Sequence, residues 1–192
     1  MDAAWAGPLR LSDRHALLLE GIDKADSVAV SAHKWLFQPK ESALVFFART
    51  EEAHAALSFG GGYLAVPNIG LLGSHGATAF PLMATLLAWG RKGMAERIDR
   101  CMKLATSLAQ LIKSDERLEL YCEPQSGVVI WRPRFCDARR ARARLQSSFV
   151  SLTTIDGIEW FRSVGANPMA DPERVLRDVF TAIESCQREE LR

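Results

Sequence analysis

Ser27-Val28-Ala29-Val30-Ser31-Ala32-His33-Lys34-Trp35 decides the reading of this chain. A short apolar run of strand type ends in a hydroxyl, an imidazole and a lysine on consecutive turns of backbone. A lysine becomes a nucleophile toward an aldehyde when it is held in a partly dry pocket, and a phosphate-bearing aldehyde needs hydrogen-bond donors close by. Ser31 and His33 are such donors. The same dipeptide also describes an ordinary surface lysine at a strand end, so the surroundings have to decide.

Outward from the lysine, a second apolar run covers 43 to 48, and a helix through Arg14 to Glu20 precedes the first, with Ser12 as its N-cap and Gly21 near its end. Both runs, rich in valine, alanine and phenylalanine, read as buried strands. Helix, strand, turn, strand is the order of an α/β domain, in which ligands collect where strands meet loops. A short helix over 51 to 57 follows. Ser58 to Gly76 then carries six glycines and one proline, too many for regular structure, and reads as a mobile or closely fitted loop.

Further on, helices are expected over 77 to 93 and 95 to 113, the second with an apolar stripe from Ile98 to Ile112. The pattern then changes to strands 118 to 122 and 127 to 132, a helix 137 to 147, strands 149 to 154 and 158 to 163 with a turn at Gly157, and a last helix 172 to 187 opened by Asp171-Pro172-Glu173. Two domains are expected: 1–95, a partial large domain carrying the nucleophilic lysine, and 96–192, a small C-terminal α/β domain. The arginines of Arg139-Arg140-Ala141-Arg142-Ala143-Arg144 read as a solvated helix face.

With 192 residues, 48% of them apolar, the chain is long enough for a real core. Lysine and arginine total 24 against 23 acids, a net charge of +1, which gives no electrostatic case for nucleic acid or an anionic membrane. Cys101, Cys122, Cys136 and Cys186 are far apart and form no Cys-x-x-Cys pair, which suits reduced thiols in a cytoplasm better than disulfides or a zinc site. No signal peptide and no spanning segment is read, so the expectation is a cytoplasmic protein with no metal.

Asp2-Ala3-Ala4-Trp5 stands about thirty residues before Lys34. An acid, a small residue, a helix, a strand and then His33-Lys34-Trp35 resembles the pyridoxal-phosphate-dependent group II amino-acid decarboxylases. The resemblance continues through Gly21-Ile22, Ala25-Asp26-Ser27, Ser42-Ala43, Tyr63-Leu64, Gly73 and the tail Phe161-Arg162-Ser163 to Asn167-Pro168, and is densest over residues 2 to 48. It implies the C-terminal part of a fold-type I large domain plus the small C-terminal domain, apparently truncated. It also implies the cofactor pyridoxal 5'-phosphate, carboxy-lyase chemistry in amino-acid (carboxylic-acid) metabolism, and a homodimer.

The resemblance assigns the site residues. Lys34 is the residue that condenses with the cofactor, Asp2 faces its ring nitrogen, Ala4 lies against the ring, and Ser31 and His33 donate to the phosphate. Tyr63 is the proton donor of a catalytic lid, although the flanks Gly60-Gly61-Gly62 and Val66-Pro67-Asn68 depart from that lid and leave a structural tyrosine as the alternative. Gly73 and Ser74 match the position where a neighbouring subunit reaches the phosphate. Trp35 packs the lysine turn, and Arg162 with Asn167-Pro168 marks the fold of the small domain. Phe37-Gln38-Pro39 is similar to diaminobutyrate decarboxylases without separating a diamino acid from other substrates.

Met1 stands directly before an aspartate that the family places mid-chain, so the expected partners are an amino-acid substrate and either a second copy or a separately encoded N-terminal half. Two alternatives stay open: an inactive remnant or assembly partner, and an aminotransferase.

Overall fold

The computed structural model describes residues 1–60, 68–69, 76–77 and 79–190, with the backbone alone at 68, 69, 189 and 190. Tyr63, Gly73 and Ser74 lie outside the described residues. The chain forms two compact units, Met1–Ala95 and Glu96–Arg192.

In the first unit, β1 (Ser27–Val30) pairs antiparallel with β2 (Leu44–Phe47), Val30 opposite Leu44 and Ser27 opposite Phe47. On its other side β1 takes a parallel neighbour, the segment from Met1 to Ala4. The Ala29 N–H donates to the Met1 carbonyl (3.0 Å), the Ala3 N–H to Ala29 (2.9 Å) and the Ser31 N–H to Ala4 (3.3 Å). Gly7 fits here for lack of a side chain, since a Cβ would stand 2.6 Å from a Val30 methyl.

The helix expected over 14 to 20 is instead a run of 3-10 turns, Gly7–Leu11, Ala16–Leu19 and Ile22–Lys24. Ser12 closes the first of these rather than capping an α-helix, and Gly21, at φ 82°, opens the third. Leu17 and Leu18 are exposed, so this segment buries too little apolar surface to drive a longer helix. The strands lie where expected, but β2 is not buried: Val45 and Phe46, on opposite faces, are each 56% exposed.

After α1 (Thr50–Leu57), β3 (Ser58–Phe59) pairs with β4 (Asn68–Ile69), a small ladder inside the segment read as loop. α2 (Ala79–Lys113) is two helical pieces broken at Gly90 (φ 59°, ψ −175°), a conformation that costs glycine little. Leu82 and Met94 of α2 join Ala3, Val30, Ala32 and Leu36 in the first unit's core.

The second unit is a four-stranded antiparallel sheet in the order β5 (Leu118–Leu120), β6 (Val128–Pro133), β8 (Ile158–Val164), β7 (Ser151–Ile155). The residues from Ile98 to Ile112 bury an i, i+3, i+4 stripe in its core, and α4 (Pro172–Glu190) adds Leu176, Val179, Ile183 and Cys186. Trp131 and Phe161 meet edge to face at 5.0 Å, and the Trp131 indole donates to Ser163 Oγ at 3.0 Å, satisfying the one polar atom of a fully buried ring. Asp156 and Gly157, both at positive φ, make the β7–β8 turn.

α3 (Ala138–Ala143) is capped by Asp137, whose side chain accepts the Arg140 N–H. It stops four residues before the expected end because Asp178 takes the N–H groups of Gln146, Ser147 and Ser148 at 3.1, 3.0 and 2.6 Å. The arginine run is more engaged than a solvated face: Arg139 pairs with Glu159, and Arg142 donates to the Val150 carbonyl.

Candidate active site

The site is built where two neighbouring strands finish. Met1 to Ala4 and β1 run parallel, so Asp2, beside Ala29, and Ala4, beside Ser31, come to the same end of the sheet as the lysine turn. This is the carboxyl end of parallel strands, where α/β sheets place ligands.

The turn itself is closed by four backbone bonds. Lys34 donates to the Ser31 carbonyl (3.1 Å), Phe37 to Lys34 (3.1 Å), Gln38 to Ala32 (3.1 Å) and His33 to Ser42 (3.2 Å). Ala32 and Trp35 are fully buried beneath it, the role read for Trp35 from the sequence. Gln38 is buried and donates to the Leu36 carbonyl (2.6 Å) and Thr85 Oγ1 (3.0 Å), which pins the far side of the turn to α2. Phe37 sits at φ 57°, a left-handed conformation unusual for a bulky side chain, and its ring meets Trp89 at 6.1 Å. A residue held there against its preference shows how closely the surrounding bonds fix this turn.

Five of the expected site residues are therefore brought to one region. Lys34 is half-buried, and its Nζ stands 4.8 Å from the centroid of the Trp5 ring. Asp2 is exposed, and its Oδ1 accepts the Ala4 N–H at 2.9 Å, which fixes the carboxylate at the end of its segment. Ala4 and Ser31 are half-buried, and His33 is exposed at the head of the turn. The donor set suits a pyridine aldehyde phosphate: a carboxylate for a protonated ring nitrogen, a small side chain for a flat face, an amine for the aldehyde, and an imidazole and hydroxyl for phosphate oxygens. The three other expected site residues, Tyr63, Gly73 and Ser74, fall outside the described residues.

Trp5 is the residue that sequence reasoning missed. Its signal was present as an aromatic directly after Asp2-Ala3-Ala4, yet nothing in spacing alone says that its ring lies under the amine. Arg162 stands in β8 of the second unit, opposite Ile130 and Ser151.

A cavity of about 470 Å³ in the first unit is lined by Val28, Val30, Leu36, Leu44, Phe46, Leu82 and other largely apolar residues. None of Asp2, Ala4, Ser31, His33 or Lys34 lines it. It is the apolar face of the β1–β2 pair rather than a site for a charged cofactor.

The chain is 30% identical over 211 residues to L-2,4-diaminobutyrate decarboxylase of Rhizobium meliloti (strain 1021), covering 98% of this chain and 42% of that protein. It is 31% identical over 137 residues to aspartate 1-decarboxylase of Aliivibrio fischeri, covering 69% of this chain and 25% of that protein. Mouse CSAD in apo form shares the fold at a TM-score of 0.83 and 22% identity, over 94% of this chain and 44% of that one. Oryza sativa TDC, solved with PLP and tryptamine, gives 0.79 and 20% over 100% and 44%. The chain thus spans less than half the length of these relatives. The family model for the pyridoxal-dependent decarboxylase conserved domain matches residues 1–134, and with Lys34, Asp2 and Ala4 gathered at one sheet end the chain belongs to that family.

Proposed function

We propose that this chain is the lysine-bearing part of a pyridoxal-phosphate-dependent decarboxylase of L-amino acids. In this reading Met1–Ala95 is the partial cofactor domain and Glu96–Arg192 the small C-terminal domain. The observation that carries it is the parallel pairing of Met1 to Ala4 with β1, which sets a carboxylate and an amine at one sheet end in the order the cofactor needs.

When bound, the cofactor supplies an electron sink for the carbanion left as carbon dioxide departs. The chain's own residues do the rest. Lys34 would hold the cofactor by its aldehyde group and, once the substrate amine took that place, would be free to move protons near the substrate's α-carbon. The Asp2 carboxylate holds a proton on the ring nitrogen, Ala4 leaves room for a flat ring, and Ser31 and His33 donate to phosphate oxygens. Tyr63 delivers a proton after decarboxylation, and Gly73 with Ser74 completes the phosphate site of a neighbouring subunit in a cytoplasmic homodimer. No helix among the described residues is long and apolar enough to cross a membrane.

An amino acid is the proposed substrate, and the relatives named for diaminobutyrate and aspartate support a small one. The remaining part of the family fold, continuous with this chain or supplied as a second polypeptide, covers the exposed apolar faces of β2. The family match over residues 1–134 supports a decarboxylase over an aminotransferase, whose resemblance is of fold alone.

The test joins label and product. Borohydride treatment with pyridoxal phosphate should place the pyridoxyl group on the Lys34 peptide, and the complemented assembly should release carbon dioxide from an L-amino acid, both lost in Lys34→Ala. Keto-acid release without carbon dioxide would mean transamination, and a chain that takes no label even when complemented would be a remnant.

A further inference from the structure

We infer that Trp5 is the positioning residue of the Lys34 amine, an inference that rests on the reading of Lys34 as the cofactor-binding lysine. A lysine side chain has four rotatable bonds, and an amine left to swing through solvent meets an aldehyde at its own sheet end only part of the time. One ring faces the Lys34 amine, and a second ring holds the first in place. Trp35, its neighbour in sequence, is fully buried, and Trp5 stands edge to face against it at 6.1 Å and 82°. Trp5 in turn offers its ring to Nζ at 4.8 Å. Trp35 belongs to the lysine turn and Trp5 to the Asp2 segment, so Trp35 braces Trp5, and of the two rings Trp5 alone meets the amine between the two strand ends that make the site.

The chemistry of the platform matters as much as its place. Among the described residues no carboxylate pairs with Lys34. A carboxylate would hold an ammonium firmly and favour its charged form, whereas the face of an indole holds it weakly, by a factor of about two to five at a partly exposed site. The nitrogen is thereby aimed and still free to leave the ring, form its bond to an aldehyde carbon and release the aldehyde oxygen as water. Trp5 touches neither reacting carbon nor substrate in this scheme and acts through Lys34 alone.

The experiment uses the full chain with Trp5→Leu and Trp5→Phe, and Trp5→Met in place of the leucine variant should that one fail to fold. Methylation with 13C-formaldehyde and cyanoborohydride reports the amine without any cofactor. The Lys34 methyl signal should be shifted upfield by the ring in the parent and in Trp5→Phe, and the shift should vanish in Trp5→Leu. In parallel, pyridoxal phosphate with cyanoborohydride should label Lys34 over the exposed Lys24, with the ratio falling about two- to fivefold in Trp5→Leu and returning in Trp5→Phe. A purely structural role would not be rescued by the smaller ring and would change thermal unfolding in step with labelling. No upfield shift in the parent, or a labelling ratio indifferent to the leucine substitution, overturns the inference while leaving Lys34 as the cofactor residue. A parent chain that does not favour Lys34 over Lys24, even when complemented with the rest of the fold, overturns the functional reading, and the inference with it.

Discussion

The second unit closes its sheet on one side with helices and fills the space with Trp131, Phe161, Val129, Ile112 and Ile183, all essentially inaccessible. Around the lysine turn the first unit joins three short extended segments over a core of smaller residues, and one of them, β2, has its valine and phenylalanines looking outward on both faces. Both use the same apolar alphabet. The difference lies in cover: a sheet flanked by its own helices is complete with local sequence, while a strand of central composition needs neighbours from elsewhere in the fold. The candidate site lies in the unit with the lesser cover, where Asp2, Ala4 and Lys34 come to neighbouring strand ends.

Three measurements would break or sharpen that contrast. The largest effect is expected from Phe161→Ala, which removes a fully buried ring from contact with Trp131 and should cost about 3–5 kcal/mol in denaturant unfolding of the second unit. A loss below about 1 kcal/mol would mean that this core is loosely packed.

Next comes Asp178. Burial pushes its carboxyl upward, but the N–H groups of Gln146, Ser147 and Ser148 together outweigh burial and hold it below the usual carboxylate range. A group with a lowered folded value adds stability that is complete above about pH 4 and is lost as pH falls through that lower value. Asp178→Asn should therefore cost about 2 kcal/mol at pH 7, and the gap to the parent should narrow progressively below about pH 4 in thermal melts. A gap constant from pH 7 to pH 2 would rule out the ionised carboxylate as the source.

The smallest change in stability belongs to Val45→Lys on β2. Exposed as this side chain is, the substitution should alter unfolding by less than about 0.5 kcal/mol. It should also reduce concentration-dependent association seen by light scattering, since a lysine on an open strand blocks edge pairing. A cost above about 1 kcal/mol would show that β2 is covered after all.

What could be read from sequence followed the strength of the local signal. Asp156-Gly157 and Asp171-Pro172 determine a turn and a helix start by backbone preference alone, and both stand where expected, with Asp171 accepting the Glu173 N–H at 3.0 Å. The lysine turn was equally legible, since a strand followed by small residues and a buried tryptophan has few ways to fold. Ser12 misled because an N-cap residue cannot make a helix where Leu17 and Leu18 find nothing to pack on. The early end of α3 depends on Asp178, thirty residues away and invisible to any local pattern. Trp5 escaped for the same reason: its partner across the site is Lys34, and contact of that range is settled by the sheet that joins their strands.

All four sulfhydryls fall in the second unit, and three are sealed inside it, with burial raising the Cys101 thiol to about 11. Cys122 alone is open, one residue from the tyrosine whose ring meets Trp160 edge to face. A maleimide dye would thus settle at a single known address without any engineering, giving a fluorescent reporter that leaves every residue around Lys34 untouched.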